Sequence, residues 1–348
     1  MSNSALSAKV HAMRGKFLTD KDYDSLMNMK SVPAVAAYLI ENTSYKDAFH
    51  GVLPMELHRG RVEQLLREHL RSDLKRMTPF MNRGSKRFSE LIEIGEGIEK
   101  IKVCLRLIGI HHPESISEYV FQLSEGKGGI SGATTEAESI DDFIELLRNT
   151  PYWAALAHFK GRPERQRLFY METALDAYFA GLVTKYAKKY LSEQEAKSVI
   201  KLYGTEFDLE NLTFLLRCKK NFNMPKDEIY ASIIPSYYKV KKETIAHIVD
   251  SPSYSDAIAV IKSETPYGRA FSEADRFIEK RQSEYFSRVL NRAARINSYS
   301  VEASICYINL RRIETNNIVS VIEGIRYGIY PEQIKTYLIG YGRGGEEI

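Results

Sequence analysis

A chain of 348 residues, 44% hydrophobic and 27% charged, has ordinary globular composition, enough length for two or three domains and no resemblance to a disordered polymer. Its 49 basic and 45 acidic residues leave a net charge of +4, too small an excess to make nucleic acid the main partner. The opening MSNSALSAKVHAMRGK lacks an apolar secretory stretch, and the longest weakly polar run is the ten residues Ser31 to Ile40. Crossing a bilayer takes about 20 residues, so a soluble chain without a signal peptide is expected.

Along the chain, helical periodicity dominates. A short motif, Thr43-Ser44-Tyr45-Lys46-Asp47-Ala48, follows an aliphatic residue, Leu39, and precedes an apolar stripe of Val62, Leu65, Leu66, Leu70 and Leu74. Steps of three and four with Arg, Glu and Gln opposite predict an amphipathic helix. A third element reads Glu96-Gly97-Ile98-Glu99-Lys100-Ile101, and Cys104 sits in the apolar pattern after it. His111-His112-Pro113 reads as a helix-end turn and Glu125-Gly126-Lys127-Gly128-Gly129-Ile130-Ser131-Gly132 as a linker.

The same three parts then return. Leu146 precedes Thr150-Pro151-Tyr152-Trp153-Ala154-Ala155, Met171 to Tyr186 forms a second helical stripe, and Phe207-Asp208-Leu209-Glu210-Asn211-Leu212 closes it. After the Pro225–Pro235 junction, Ile248 precedes Pro252-Ser253-Tyr254-Ser255-Asp256-Ala257. Tyr285 to Ala294 makes a third stripe, and Glu314-Thr315-Asn316-Asn317-Ile318 closes the series. From Tyr45 to Ile101, Tyr152 to Leu212 and Tyr254 to Ile318 the intervals are 56, 60 and 64 residues. The expectation is an all-α chain of three similar helical units, 1–122, 123–235 and 236–348, with a frayed tail after Gly342. Tyr45, Tyr152 and Tyr254 would be equivalent positions, as would Asn211 and Asn317, with Lys100 in the first unit. One long helix cannot bury its stripe alone, so the units must pack on one another, stacked or closed around an axis.

The residue types that carry chemistry have structural readings. Cys104, Cys218 and Cys306 form no CxxC pair and read as small buried hydrophobes of a reducing compartment. No HExxH or Cys/His cluster predicts a metal site. Gly126-Lys127-Gly128 lacks the Ser or Thr and the flanking strand of a phosphate loop. Asp141-Asp142 follow Ser139 at a helix start, where negative charge suits the dipole better than it suggests acid–base work. Basic, tyrosine-bearing runs at Lys185–Tyr190 and Lys239–Lys242 read as solvated helix faces rather than nucleic-acid grips. Asn211 and Asn317 read as fold-specifying side chains bonded to a neighbouring helix or backbone. No catalytic residue, cofactor or direct nucleotide is expected.

Two segments resemble a known family. Val10-His11-Ala12-Met13-Arg14-Gly15-Lys16-Phe17-Leu18-Thr19, followed by Tyr23-Asp24-Ser25-Leu26, is similar to the opening of C/d subunits of V-type and archaeal-type rotary ATPases. Ile313-Glu314-Thr315-Asn316-Asn317-Ile318 through Ile322-Glu323-Gly324-Ile325-Arg326-Tyr327-Gly328-Ile329 resembles that family's distinctive closing stretch. The resemblance spans about residues 8 to 338. It implies three helical domains around a pseudo-threefold axis in a funnel, one copy per complex, on the cytoplasmic side of the membrane. It also implies a central-stalk role in proton or sodium transport and ATP synthesis, with the D and F shaft subunits in the cavity and the proteolipid ring at the base. Gly95, Gly97 and Lys100 make the first unit depart from the other two. A generic open helical-repeat scaffold that binds peptides is the alternative, and an enzyme with an unrecognised site is the third.

Overall fold

The computed structural model describes residues 3–110, 112, 116, 119–120, 123, 137–162, 167–221, 224–272, 277–296 and 301–342. The expected turn at His111-His112-Pro113 falls largely outside them, and the linker 125–132 and the tail 343–348 fall wholly outside. Among the described residues the chain is all-helical, with no strand, and no helix is long and apolar enough to cross a membrane.

The chain divides into two compact units. The first joins Met1–Asn82 to Ala274–Ile348. It holds α1 (Asn3–Arg14), α2 (Asp20–Met27), α3 (Val32–Asn42), α4 (Arg59–Met77), α13 (Ile278–Ile296), α14 (Val301–Arg326) and α15 (Pro331–Lys335). The second, Arg83–Glu273, holds α5 (Arg83–Gly109), α6 (Ile140–Leu146), α7 (Trp153–Leu156), α8 (Arg167–Tyr190), α9 (Glu193–Asn221), α10 (Lys226–Ala231), α11 (Lys242–Asp250) and α12 (Tyr254–Glu264). This division differs from the three consecutive segments read from the repeats. The reason is a long-range one: α14 packs on α1, α2, α3 and α4, from the opposite end of the chain.

Local chemistry sets the helix starts. Thr19 and Asp22 form a reciprocal capping box on α2, and Ser139 and Asp142 form another on α6. Ser31 caps α3 with Pro33 in the first turn, and Ser253 caps α12. Asp142 thus serves its helix end as expected, while Asp141 accepts from the Gly161 amide and from Arg167. The first predicted stripe, Val62, Leu65, Leu66, Leu70 and Leu74 on α4, is buried throughout, while the other two are buried at Met171 and Leu175 on α8 and at Phe286, Leu290 and Ala294 on α13 and half-buried at Ala174, Tyr178, Leu182, Tyr186, Tyr285, Val289 and Ala293.

Each unit has its own core. In the first, Leu26, Leu39, Val62 and Leu66 meet Ile318, Val321 and Ile322 of α14. Gly324 admits α15 closely, since a Cβ there would stand 2.5 Å from the Ile334 side chain. In the second, Ile98, Ile101 and Leu105 of α5 meet Phe143, Ile144, Leu156, Met171 and Leu175. Cys104, Cys218 and Cys306 are free and buried, and burial pushes the Cys104 thiol up to about 12.

Candidate functional site

The most specific feature of the molecule is a set of three joints, each made by a threonine turn, a tyrosine and a closing helix. At the first, Thr43 ends α3. Its Oγ1 donates to the Leu39 carbonyl at 2.5 Å and accepts from the Tyr45 amide at 3.2 Å. The turn aims Tyr45 inward, where its Oη donates to Glu314 Oε1 on α14 at 2.8 Å. At the second, Thr150 donates to the Leu147 carbonyl and accepts from the Tyr152 amide, at 2.7 and 3.3 Å. Tyr152 enters α5 and donates to the Ile94 carbonyl at 3.4 Å.

The third joint corrects the expectation for Tyr254. That residue opens α12 behind its cap Ser253, half-buried, with Lys220 over its ring at 5.5 Å. The turn belongs instead to Thr265-Pro266-Tyr267: Thr265 ends α12, donates to the Ile261 carbonyl at 2.8 Å and accepts from the Tyr267 amide at 3.2 Å. Tyr267 Oη donates to Asp208 Oδ2 on α9 at 2.9 Å. Ile261 stands six residues before Tyr267, as Leu39 and Leu146 stand before Tyr45 and Tyr152. Pro252-Ser253-Tyr254-Ser255-Asp256 signals a helix start, whereas Thr-x-Tyr signals a helix stop. Matching the threonine rather than the spacing would have found the correct residue.

The receiving positions are equivalent too. Gly97, Asp208 and Glu314 each precede the aligned aliphatics Ile101, Leu212 and Ile318 by four residues. Two are carboxylates that accept the tyrosine. The glycine makes room for it, since a Cβ at Gly97 would lie 1.9 Å from Tyr152 Oη. Gly97→Ala is therefore expected to destabilise by about 1–3 kcal/mol, although alanine is the better helix former. Gly181→Ala on α8, where an added Cβ meets nothing within 4 Å, is expected to stabilise by up to about 1 kcal/mol. Denaturation midpoints of the two variants should move in opposite directions, and movement in the same direction would refute the packing role of Gly97.

Asn211 and Asn317 make the same kind of contact. Asn211 donates to the Ile234 carbonyl and accepts from its amide, at 3.0 and 2.9 Å. Asn317 makes the same pair with Ile339, at 2.9 Å both ways. Each side chain imitates a backbone partner and pins the segment that follows its closing helix.

Charge distinguishes the joints. Asp208 lies buried, accepting from the Tyr238, Lys239 and Val240 amides as well as Tyr267. Burial holds its carboxyl above the usual range, and these donors pull it back. Glu314 is fully enclosed. It accepts from the Leu18 amide at 2.6 Å and pairs with Arg311, the largest fully buried side chain among the described residues. Arg311 lies 3.5 Å from Asp73 and reaches the Tyr307 Oη at 3.0 Å, and Tyr307 donates to Asp73 at 2.6 Å. The guanidinium also stands 4.6 Å from the centre of the Phe17 ring. Burial raises Glu314 above its ordinary value, opposed by Arg311, Leu18 and Tyr45. In the second unit, buried Lys102 bonds Asp176 and lies 3.2 Å from Glu99, tying α5 to α8.

Sequence reasoning missed Asp73, Lys102, Arg311 and the carboxylate role of Asp208 and Glu314. A signal existed for Asp73, which falls on the apolar face of α4, three residues after Leu70 and seven after Leu66. A charge on a core face needs a buried partner. Among the described residues, no group of three or more His, Cys, Asp or Glu side chains is placed to hold a metal ion. The arrangement bonds helices to one another and presents no activated nucleophile.

Comparison with known proteins adds to this geometry. The sequence model of the family described as "ATP synthase (C/AC39) subunit" matches residues 6–337. The chain is similar to the C subunit of the A-type ATP synthase of Thermococcus gammatolerans, 24% identical over 362 residues, covering 98% of this chain and 89% of that protein. It is likewise similar to the C subunit of the A-type enzyme of Methanococcoides burtonii, 25% identical, with 96% and 93% covered. The corresponding protein of Methanothermobacter thermautotrophicus is 22% identical, with 94% and 84% covered.

Proposed function

We propose a role for this chain from one premise: it belongs to the ATP synthase (C/AC39) subunit family. It is accordingly a non-catalytic component of a rotary ATPase. Within that complex we assign it to the central stalk, on the cytoplasmic side of the membrane. It forms the socket between the D–F shaft and the proteolipid ring and passes torque during proton or sodium transport. Three similar helical domains around a pseudo-threefold axis would supply the funnel such a socket needs.

The observation that carries this reading is the joint between the two ends of the chain. Tyr45 and Leu18 of the first repeat are bonded to Glu314 of the last closing helix, inside a buried charge network. In an open helical array each repeat contacts only its neighbours, leaving the first and last repeats apart. A body that transmits torque must instead resist opening, and close-packed helices locked by buried polar bonds are stiff.

The test is assembly. The purified chain mixed with the D–F pair at micromolar concentration is expected to co-elute with it on size exclusion. Persistent separate elution would count against the stalk role, and binding to the ring alone would leave the socket half unsupported.

A further inference from the structure

The net charge of +4 is weak when averaged over the whole chain, but the second unit concentrates it in one place. There α5 and α8 run antiparallel. A Cβ at Gly95 would stand 3.1 Å from the Phe179 ring, Arg106 bonds Glu172 at 2.7 Å, and a Cβ at Gly109 would stand 3.6 Å from the Leu168 side chain. Numbers rise along α5 as they fall along α8, so the start of α5 lies beside the end of α8. From that same end α9 departs and returns along α8, with the Tyr203 ring 5.8 Å from Phe179 and the Phe214 ring 6.0 Å from Phe169.

The outermost two turns of these three helix ends are basic. Arg83, Lys86 and Arg87 open α5, Lys185, Lys188 and Lys189 close α8, and Lys197 follows on α9, all of them exposed. The acidic residues of the same turns are Glu90, Glu193 and Glu195. Glu90 pairs with Arg87, Glu193 pairs with Lys197, and Glu195 accepts from Ser192 just before its own helix. Seven basic against three acidic side chains leave an excess of four, the excess carried by all 348 residues. The run Lys185–Tyr190, read from the sequence as a solvated helix face, is solvated and forms one part of this larger surface.

The make-up of the patch selects its partner. A protein interface has an apolar centre inside a polar rim. Among the described residues of this unit the exposed large hydrophobic side chains are Ile110, Phe169, Tyr230 and Tyr237. The first three belong to the opposite helix ends, and Tyr237 lies farther along α9, next to the Tyr238 that packs on Gly204. Single-stranded nucleic acid stacks its bases on open aromatic faces. Here Tyr186 and Tyr190 are half-buried and set edge to face at 5.3 Å, with Lys189 over the Tyr190 ring at 5.1 Å. Five of the seven cations are lysines, compact hydrated charges that suit a diffuse anionic field better than bidentate pairing. Half-buried tyrosines beside them resemble the aromatic belt of a membrane–water boundary. An open cleft of about 460 Å³ lined by Arg83, Lys86, Arg87 and Glu90 has room for a phosphate group among three cations.

We propose that this basic end of the second unit, where α5 starts and α8 ends, binds the phosphate headgroups of an anionic lipid surface. The inference rests on charge and is independent of the stalk reading above. Flotation of the full chain with lipid vesicles tests it. At low ionic strength the chain is expected to float with vesicles of phosphatidylglycerol and phosphatidylcholine in equal parts, and not with phosphatidylcholine alone. Added salt should release it. One basic residue near an anionic surface is worth about fivefold in affinity, so Lys188→Gln with Lys189→Gln should weaken binding about twentyfold. Lys241→Gln with Lys242→Gln removes the same charge from the other basic run, which lies near the middle of α9 because the Val240 amide bonds Asp208. That pair should leave binding unchanged. All four lysines are exposed, so thermal unfolding should not move in either variant. A wild-type chain that fails to float with the anionic vesicles overturns the proposal. Equal weakening by the two pairs also overturns it, since net charge alone would then account for binding. So does a single-stranded oligonucleotide that binds the chain more tightly than the anionic vesicles do.

Discussion

Glu314→Ala is expected to cost about 3–5 kcal/mol of stability, because it strands a buried arginine. Arg311 is enclosed between α14, α4 and the Phe17 turn. Its counter-charges are Glu314 and Asp73, and Asp73 is shared with Arg76 at 3.5 Å. Removing Glu314 also leaves the Leu18 amide and the Tyr45 hydroxyl without their acceptor. Tyr45→Phe should cost only about 1 kcal/mol, since it deletes one hydrogen bond and no charge. The order of the two losses is the informative quantity, measured by equilibrium denaturation. If Glu314→Ala costs no more than Tyr45→Phe, the network is not what holds the ends of the chain together. Arg311→Met combined with Glu314→Leu and Asp73→Leu should recover the part of the loss that comes from the stranded charge, because an apolar replacement of a buried ion network is often neutral or better, while the Leu18 amide and the Tyr45 hydroxyl stay without their acceptor.

The second large effect concerns apolar burial at the same joint. Ile318→Asp places a carboxylate at a fully buried position between Leu39, Val62 and Val321. Losing the burial of one isoleucine costs about 1.5–3 kcal/mol. The desolvated carboxylate adds several kcal/mol more. A total above about 5 kcal/mol is expected, enough to unfold the first unit at room temperature. Ile318→Val, which only trims a methylene, should cost about 0.5–1.5 kcal/mol. The aligned Ile101 and Leu212 are also fully buried, so the same pair of substitutions at either should behave alike in the second unit. An Ile318→Asp protein with an unchanged melting temperature would place this face at the surface and undo the alignment of the three closing helices.

Particular residues show how far the sequence could be read. Val62, Leu66 and Leu70 lie one helical turn apart, and that period alone predicted the buried face of α4. Asn211 and Asn317 stand among neighbours that repeat, but their backbone partners Ile234 and Ile339 lie 23 and 22 residues on, beyond any local pattern. Tyr254 was misread because a tyrosine near the expected spacing outweighed the turn chemistry around it. With Tyr267 in its place the last interval shortens to 51 residues, so spacing was a poorer guide than the threonine.

What the sequence determined by itself was the part of the fold written in short range. It set the helical character, the capped starts, the threonine turns, and the apolar stripes that call for partners, because all of these act between residues within two turns of one another. The tertiary structure alone decided which closing helix each tyrosine enters, and so why α14 belongs with α1 to α4 as well as with α13 before it. Tyr45 and Glu314 are 269 residues apart, and no local pattern encodes a bond across that distance. Only the packed chain brings the two together, and there burial makes their pairing, and that of Arg311 with Asp73, obligatory.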